Sequence, residues 1–185
     1  GDVNNILLML GNHDMDRIAD VVMDQDPRRV KIAYTLLATM RGIPQVFYGD
    51  EYAMKSADRR MGHSTLRMPL PLGEAVTAEM QDMFDYQSRL FQWRKGEKVI
   101  HTGRTMHFMS RDNTYAFFRY NDEEAAFVFV NASEENRTIP TANYAEILGK
   151  YKPVGVDVIS GKTYDLSQKD IVVKPLSSIV VKLTK

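Results

Sequence analysis

The chain predicts an α/β segment followed by an all-β sandwich, with the change falling near residue 100. Three observations carry this fold class. The wholly apolar run 6–10 and a second short run at 45–48 read as strands covered on both faces, the pattern of a parallel sheet flanked by helices. Between them, residues 27–40 keep the three-and-four spacing of a buried helical face. Beyond residue 99 the apolar period turns from helical to alternating.

The first strand ends at Gly11 and is followed at once by Asn12, His13 and Asp14. In a parallel sheet these fall at the carboxyl end of the strand, where ligand sites are built. Asp26-Pro27 starts the helix, the Asp capping free N–H groups and the Pro taking the first helical position. Val30, Ala33, Tyr34, Leu37 and Met40 give it a buried face, and Gly42 with Pro44 stops it. The second strand also ends in polar residues, Gly49, Asp50 and Glu51. Strand, helix and strand in this order make a right-handed parallel unit, so both polar clusters belong on one rim.

Residues 49–78 sustain no period, and a loop of that length reads as functional. It carries Tyr52, Arg59, Arg60, His63 and Arg67, groups suited to hydrogen bonding a polyhydroxylated or anionic ligand. For any one of them a solvated basic loop is the plainer reading. A second helix follows at 78–94, with Met80, Met83, Phe84, Leu90 and Phe91 on its inner face and Gly96 closing it. Strands are expected at 105–109, 114–120, 125–131, 156–159, 163–166 and 171–183, the last interrupted by Pro175. Tyr115, Phe117, Phe127 and Phe129 sit at alternate positions, as on an inward face.

Composition narrows the function classes. A length of 185 residues, 44% of them hydrophobic, supports one or two modest cores. Lys plus Arg and Asp plus Glu number 24 each, which gives no electrostatic case for nucleic acid or an anionic membrane, and no apolar run approaches a membrane span. The absence of Cys excludes disulfides and cysteine-based zinc sites, and the four His are isolated, so no metal site is expected. A chain opening just before a buried strand reads as a fragment whose natural start lies upstream. The two sequons at Asn131 and Asn136 are assigned no modification.

Gly11-Asn12-His13-Asp14 with Arg17, followed by the run from Arg41 through Gly42-Ile43-Pro44 to Tyr48-Gly49-Asp50-Glu51, resembles the last quarter of the catalytic (β/α)₈ TIM barrel in glycoside hydrolase family 13, the α-amylase family. Leu66-Arg67-Met68-Pro69-Leu70-Pro71 is similar to the segment after the eighth barrel strand, and the β-rich half to the C-terminal domain of that family. Neopullulanase or cyclomaltodextrinase-like members are the nearest in look. The resemblance implies strand 7, helix 7, strand 8, a long loop and helix 8 over residues 1–100, and a β-sandwich domain over 101–185.

It also implies a retaining mechanism in which Asp14 matches the third catalytic carboxylate, gripping the sugar and favouring its oxocarbenium-like transition state without attacking. His13 matches a histidine that hydrogen-bonds the same sugar. Asn12, Arg17 and Arg67 are expected as further substrate-binding groups, with a purely structural part also open for Arg17. Asp50 and Glu51 are expected to anchor the loop. No segment resembles the motifs of the family's nucleophile and general acid, so the chain alone is expected to be inactive.

The resemblance further implies an α-glucan as partner, no cofactor in this segment, calcium in the parent protein at insertions this chain lacks, and a periplasmic or extracellular setting. Bare barrel strands are expected to promote self-association. A carbohydrate-binding or structural module without catalysis is the competing reading, and it requires exposed aromatic rings on the β-rich half.

Overall fold

The structure, a computed structural model, describes residues 2–185; the side chain of Arg59, one of the expected loop cations, lies outside the described residues. Strands β1 (Leu7–Met9) and β2 (Ile43–Gln45) pair in parallel, Leu7 opposite Ile43 and Met9 opposite Gln45. Helices α1 (Ile18–Val21) and α2 (Pro27–Thr39) connect them. The α2 start follows the sequence reading: the Asp26 carboxylate accepts from the Arg28 amide and Pro27 opens the first turn. Gly42, at φ +115°, lets the chain turn into β2 where an added Cβ would lie 2.6 Å from the Ile6 carbonyl oxygen.

Two expectations for this sheet are corrected. The second strand lies earlier than 45–48, because its pairing with β1 ends at Gln45 and residues 46–48 have no strand beside them. The first is not covered on both faces: Ile6 is 53%, Leu7 50% and Ile43 51% exposed. Leu8 and Leu10 pack toward Val30, Tyr34 and Leu37 of α2, while the opposite face and both outer edges of the two-stranded sheet stay open.

Helix α3 (Ala78–Gly96), capped by Thr77, turns Met83, Gln87, Leu90 and Arg94 inward at helical spacing. Phe84, expected in that core, is instead 38% exposed and stacks on Tyr52, because it lies on the flank of α3 that faces away from α2. Arg94 is buried without a carboxylate. Its guanidinium donates to the carbonyls of Ala38 and Met40 at the C-terminal end of α2 and of Gly42 in the turn into β2, which stand where a carboxylate would.

After α4 (Lys98–Thr102) come β3 (Arg104–His107), β4 (Thr114–Tyr120), β5 (Glu124–Asn131), β6 (Arg137–Thr138), α5 (Ala145–Leu148), β7 (Val154–Asp157), β8 (Thr163–Asp165), β9 (Val172–Val173) and β10 (Ser177–Thr184). Six of the strands form one antiparallel sheet in the order β3-β4-β5-β10-β7-β8, and β6 pairs with β9 in a separate ladder. The run expected at 171–183 divides at Pro175 and at Leu176, whose φ of 48° is incompatible with an extended strand. That break lets β9 leave the sheet while β10 takes its centre. Alternation did not reveal β6, α4 or α5, each too short to show a period.

Both faces of the six-stranded sheet are buried. Phe118, Phe127, Phe129 and Val181 face Tyr144, Ile147 and Leu148 of the α5 region, with Val173 of the small ladder, and make the second layer of the sandwich. Phe117, Val128, Val130 and Val180 face Ile32 and Ala38 of α2 and Leu90 of α3. The barrel-type helices and the sheet therefore share a core. Arg119 of β4 is fully buried at this junction and donates to the Ile100 carbonyl and to Thr105 Oγ1; burial, with Arg41 and Arg94 nearby, pushes its guanidinium down to about 10.

Candidate active-site rim

Because β1 and β2 are parallel, the segments that follow them emerge on one rim, as expected from the sequence. The Asn12 side chain shapes the first: its Oδ1 accepts from the Asp14 amide at 2.8 Å, a local turn that sends the next two side chains outward. His13 and Asp14 are 59% and 60% exposed, with His13 Nε2 3.1 Å from Asp14 Oδ2. The loop after β2 returns to the same place. Arg67 Nη2 lies 3.4 Å and His63 Nδ1 4.0 Å from Asp14 Oδ1, and Arg67 also donates to the His63 carbonyl at 3.1 Å.

The structure thus joins Asn12, His13, Asp14, His63 and Arg67 into one open cluster. Arg60 stands apart, paired with Asp58 at 2.9 Å, and Tyr52 is engaged with Phe84. A carboxylate with one edge on imidazole and the other toward a guanidinium, all open to solvent, is suited to grip a pair of vicinal hydroxyls. Among the described residues no group of three or more His, Asp or Glu side chains is placed to hold a metal ion.

Arg17 does not join the cluster, and its expected contact with substrate is corrected to an internal role. Its side chain is 0% exposed. Nη1 donates to the Tyr48 carbonyl and to Asp50 Oδ1, each at 2.9 Å, and Nη2 to the Leu66 carbonyl at 2.7 Å. The guanidinium also lies 4.6 Å from the centre of the Phe47 ring. Asp50 is buried with it and accepts from the Tyr34 hydroxyl at 3.0 Å. Burial raises the Asp50 carboxyl, with the Tyr34 and Arg17 hydrogen bonds acting against that, and the Tyr34 phenol is raised by its own burial and by the facing carboxylate. Asp50 is therefore a loop anchor, withdrawn from Asp14.

Parallel strands with an open Asp14 cluster on their carboxyl rim, followed by an antiparallel β domain, have the architecture of the last part of a (β/α)₈ barrel and the β domain after it. The comparisons agree. Residues 105–182 match the model of the cyclo-malto-dextrinase C-terminal domain. A 4-alpha-glucanotransferase of Thermotoga maritima is 26% identical over 150 residues, covering 67% of this chain and 34% of the relative. A cyclomaltodextrin glucanotransferase of Niallia circulans is 27% identical over 156 residues, covering 80% and 20% respectively. The solved α-amylase of Anoxybacillus superposes on 98% of the chain and 38% of its own length, with a TM-score of 0.77 at 18% identity, which shows the shared fold. Residues 105–182 thus match a cyclo-malto-dextrinase C-terminal domain, and the chain as a whole is similar to the C-terminal part of members of the α-amylase family, glycoside hydrolase family 13. It spans about a third or less of the curated relatives named here.

Proposed function

We propose that this chain is the C-terminal portion of a retaining enzyme that cleaves or transfers α-glucosidic bonds in starch-derived glucans, pullulan or cyclodextrins, and that Asp14 is its transition-state-gripping carboxylate. The observation that carries this reading is the convergence of His13, His63 and Arg67 on an exposed Asp14 at the carboxyl rim. In the ground state the sugar ring is a relaxed chair. As the glycosidic bond breaks, the ring flattens and its hydroxyls become better donors, so an anionic acceptor fixed beside them binds the transition state more tightly than the substrate. His13 and Arg67 orient that carboxylate and hydrogen-bond neighbouring hydroxyls. Asn12 sets the turn.

Attack at the anomeric carbon and protonation of the leaving oxygen both need further carboxyl groups. Asp50 is locked in its buried pair and supplies neither. The chain by itself is accordingly expected not to turn over starch, pullulan or a chromogenic maltoside. In the intact enzyme, Asp14→Asn is expected to lower kcat by about three orders of magnitude or more with an unchanged melting temperature, and His13→Ala to cost less. A near-normal kcat for the Asp14 variant would overturn the assignment, and turnover by the chain alone would overturn the division of labour. The reading as a carbohydrate-binding module is not favoured: Phe117, Phe127 and Phe129 are at most 1% exposed, and Tyr115, the one half-buried ring of the set, is stacked on His107.

A further inference from the structure

Three separate stretches of the rim meet on one buried ion pair. Arg17 and Asp50 have side chains 0% and 1% exposed and stand 2.9 Å apart. Arg17 reaches the turn after β2 through the Tyr48 carbonyl and the returning loop through the Leu66 carbonyl. Asp50 lies under the first stretch, its Oδ2 3.7 Å from where a Cβ on Gly11 would be, and α3 holds the Asp50 carbonyl through Gln87 Nε2 at 2.9 Å. Gly49, at φ +88°, lets this turn close, since a Cβ there would come 2.4 Å from Met54 Sδ and 3.1 Å from Arg17 Nη1. Leu66 is itself 2% exposed, and the residue after it is Arg67, whose guanidinium reaches Asp14.

A buried ion pair is poor evidence for stability, because desolvation offsets the attraction, and its best-attested use is to fix one arrangement among several. Here the arrangement fixed is the approach of residues 66–67 to the Asn12–Asp14 turn. We propose that Arg17 and Asp50 are positioning residues for Asp14, acting through Leu66 and Arg67: the buried pair sets the loop that delivers the Arg67 guanidinium to the Asp14 carboxylate. This rests on the reading of Asp14 as the group that grips the sugar. It adds that the grip depends on residues that never touch substrate, and that Tyr34 belongs to the same device by holding the second oxygen of Asp50.

Side-chain ¹⁵N NMR of the full chain reads the Arg67 guanidinium directly. Asp14→Asn is expected to shift its signals, because it removes their anionic acceptor. Asp50→Asn is expected to shift the same signals with Asp14 intact, and Asp14→Asn then to add nothing further. Tyr34→Phe, which keeps the ion pair, is expected to give part of the same shift, and it carries the test if Asp50→Asn does not fold. An Asp50 or Tyr34 variant with a lower melting temperature but unchanged Arg67 signals would show a merely structural pair and overturn the proposal.

In the intact enzyme Asp50→Asn is expected to lower kcat about 10- to 100-fold with a smaller change in KM. It should cost little more in an Arg67→Met background. Fully additive losses would overturn the proposal. The NMR experiment decides positioning without any catalysis, whereas the kinetics of Asp14→Asn decide the role of Asp14, so the two readings fail separately.

Discussion

The first parallel strand and the central strands of the six-stranded sheet are both built from apolar runs and end in opposite environments. Phe118, Phe127 and Val181 in the sheet are fully buried, whereas Ile6, Leu7 and Ile43 in the parallel pair are each about half exposed. The sheet is covered by a second layer on one face and by two helices on the other. The parallel pair has one covered face and two bare edges. The candidate site and the self-sufficient core are therefore divided within the chain: the open region carries the exposed Asp14 cluster, and the covered sheet carries the larger core. Helices α2 and α3 bridge the two, since their inner residues pack on the sheet while their chain neighbours form the rim.

Substitution in each region gives the largest contrast. Phe127→Ala empties a site lined by Phe118, Phe129 and Tyr144 and is expected to cost about 3–5 kcal/mol. Leu7→Ala, on a half-exposed strand, should cost under about 1 kcal/mol. Urea titration of the two variants checks this, and equal losses would erase the distinction between the regions.

Self-association is the next test. We propose that the bare strands pair with those of a second copy, favoured by exposed apolar side chains and by a formal net charge of zero. Sedimentation should show association that rises with concentration and is reduced by Ile6→Lys with Ile43→Lys, at little cost in stability. A monomer at all concentrations would remove the idea. A segment beginning near residue 99 is not expected to serve as a well-behaved control, because Phe117, Val128, Val130 and Val180 would lose their cover from α2 and α3.

The smallest effect concerns the tie between the helices and the sheet. Lys182 of β10 donates to both oxygens of Glu97 at 2.8 and 2.6 Å and lies 3.4 Å from Glu124. Burial would lower its ammonium, yet the acidic partners outweigh burial and hold it above the usual lysine range. Its folded value exceeds the unfolded one, so the contribution is fully present below about pH 10.4 and is lost as pH rises through the folded value. Lys182→Met should therefore remove under about 1 kcal/mol at neutral pH and progressively less at high pH.

How far the sequence could be read divides along the same line. The Asp26-Pro27 start of α2, the strands at 114–120 and 125–131, and the polar ends of both parallel strands follow from local signals, namely a cap, a fixed φ and a two-residue period. The candidate cluster was half visible. Asn12, His13 and Asp14 are adjacent, but the approach of Arg67 and His63 depends on a loop that returns across the rim. A structural part for Arg17 was open in the sequence, but its partners could not be foreseen, because Asp50 and Leu66 lie 33 and 49 positions away and two of its bonds are to backbone carbonyls, which carry no sequence signature. The bareness of β1 was equally hidden, since an apolar run states what a strand is suited to and not what covers it.

Amide hydrogen exchange across the whole chain tests the central division most directly. Amides of β4, β5 and β10, together with the inner turns of α2 and α3, are expected to exchange only through global unfolding. Those of β1 and β2, and of the loop from residue 55 to 72, should exchange through local opening at a much lower free energy. Uniform protection of β1, β2 and the sheet in a monomeric chain would contradict the account, because the parallel strands would then be as complete as the domain they precede.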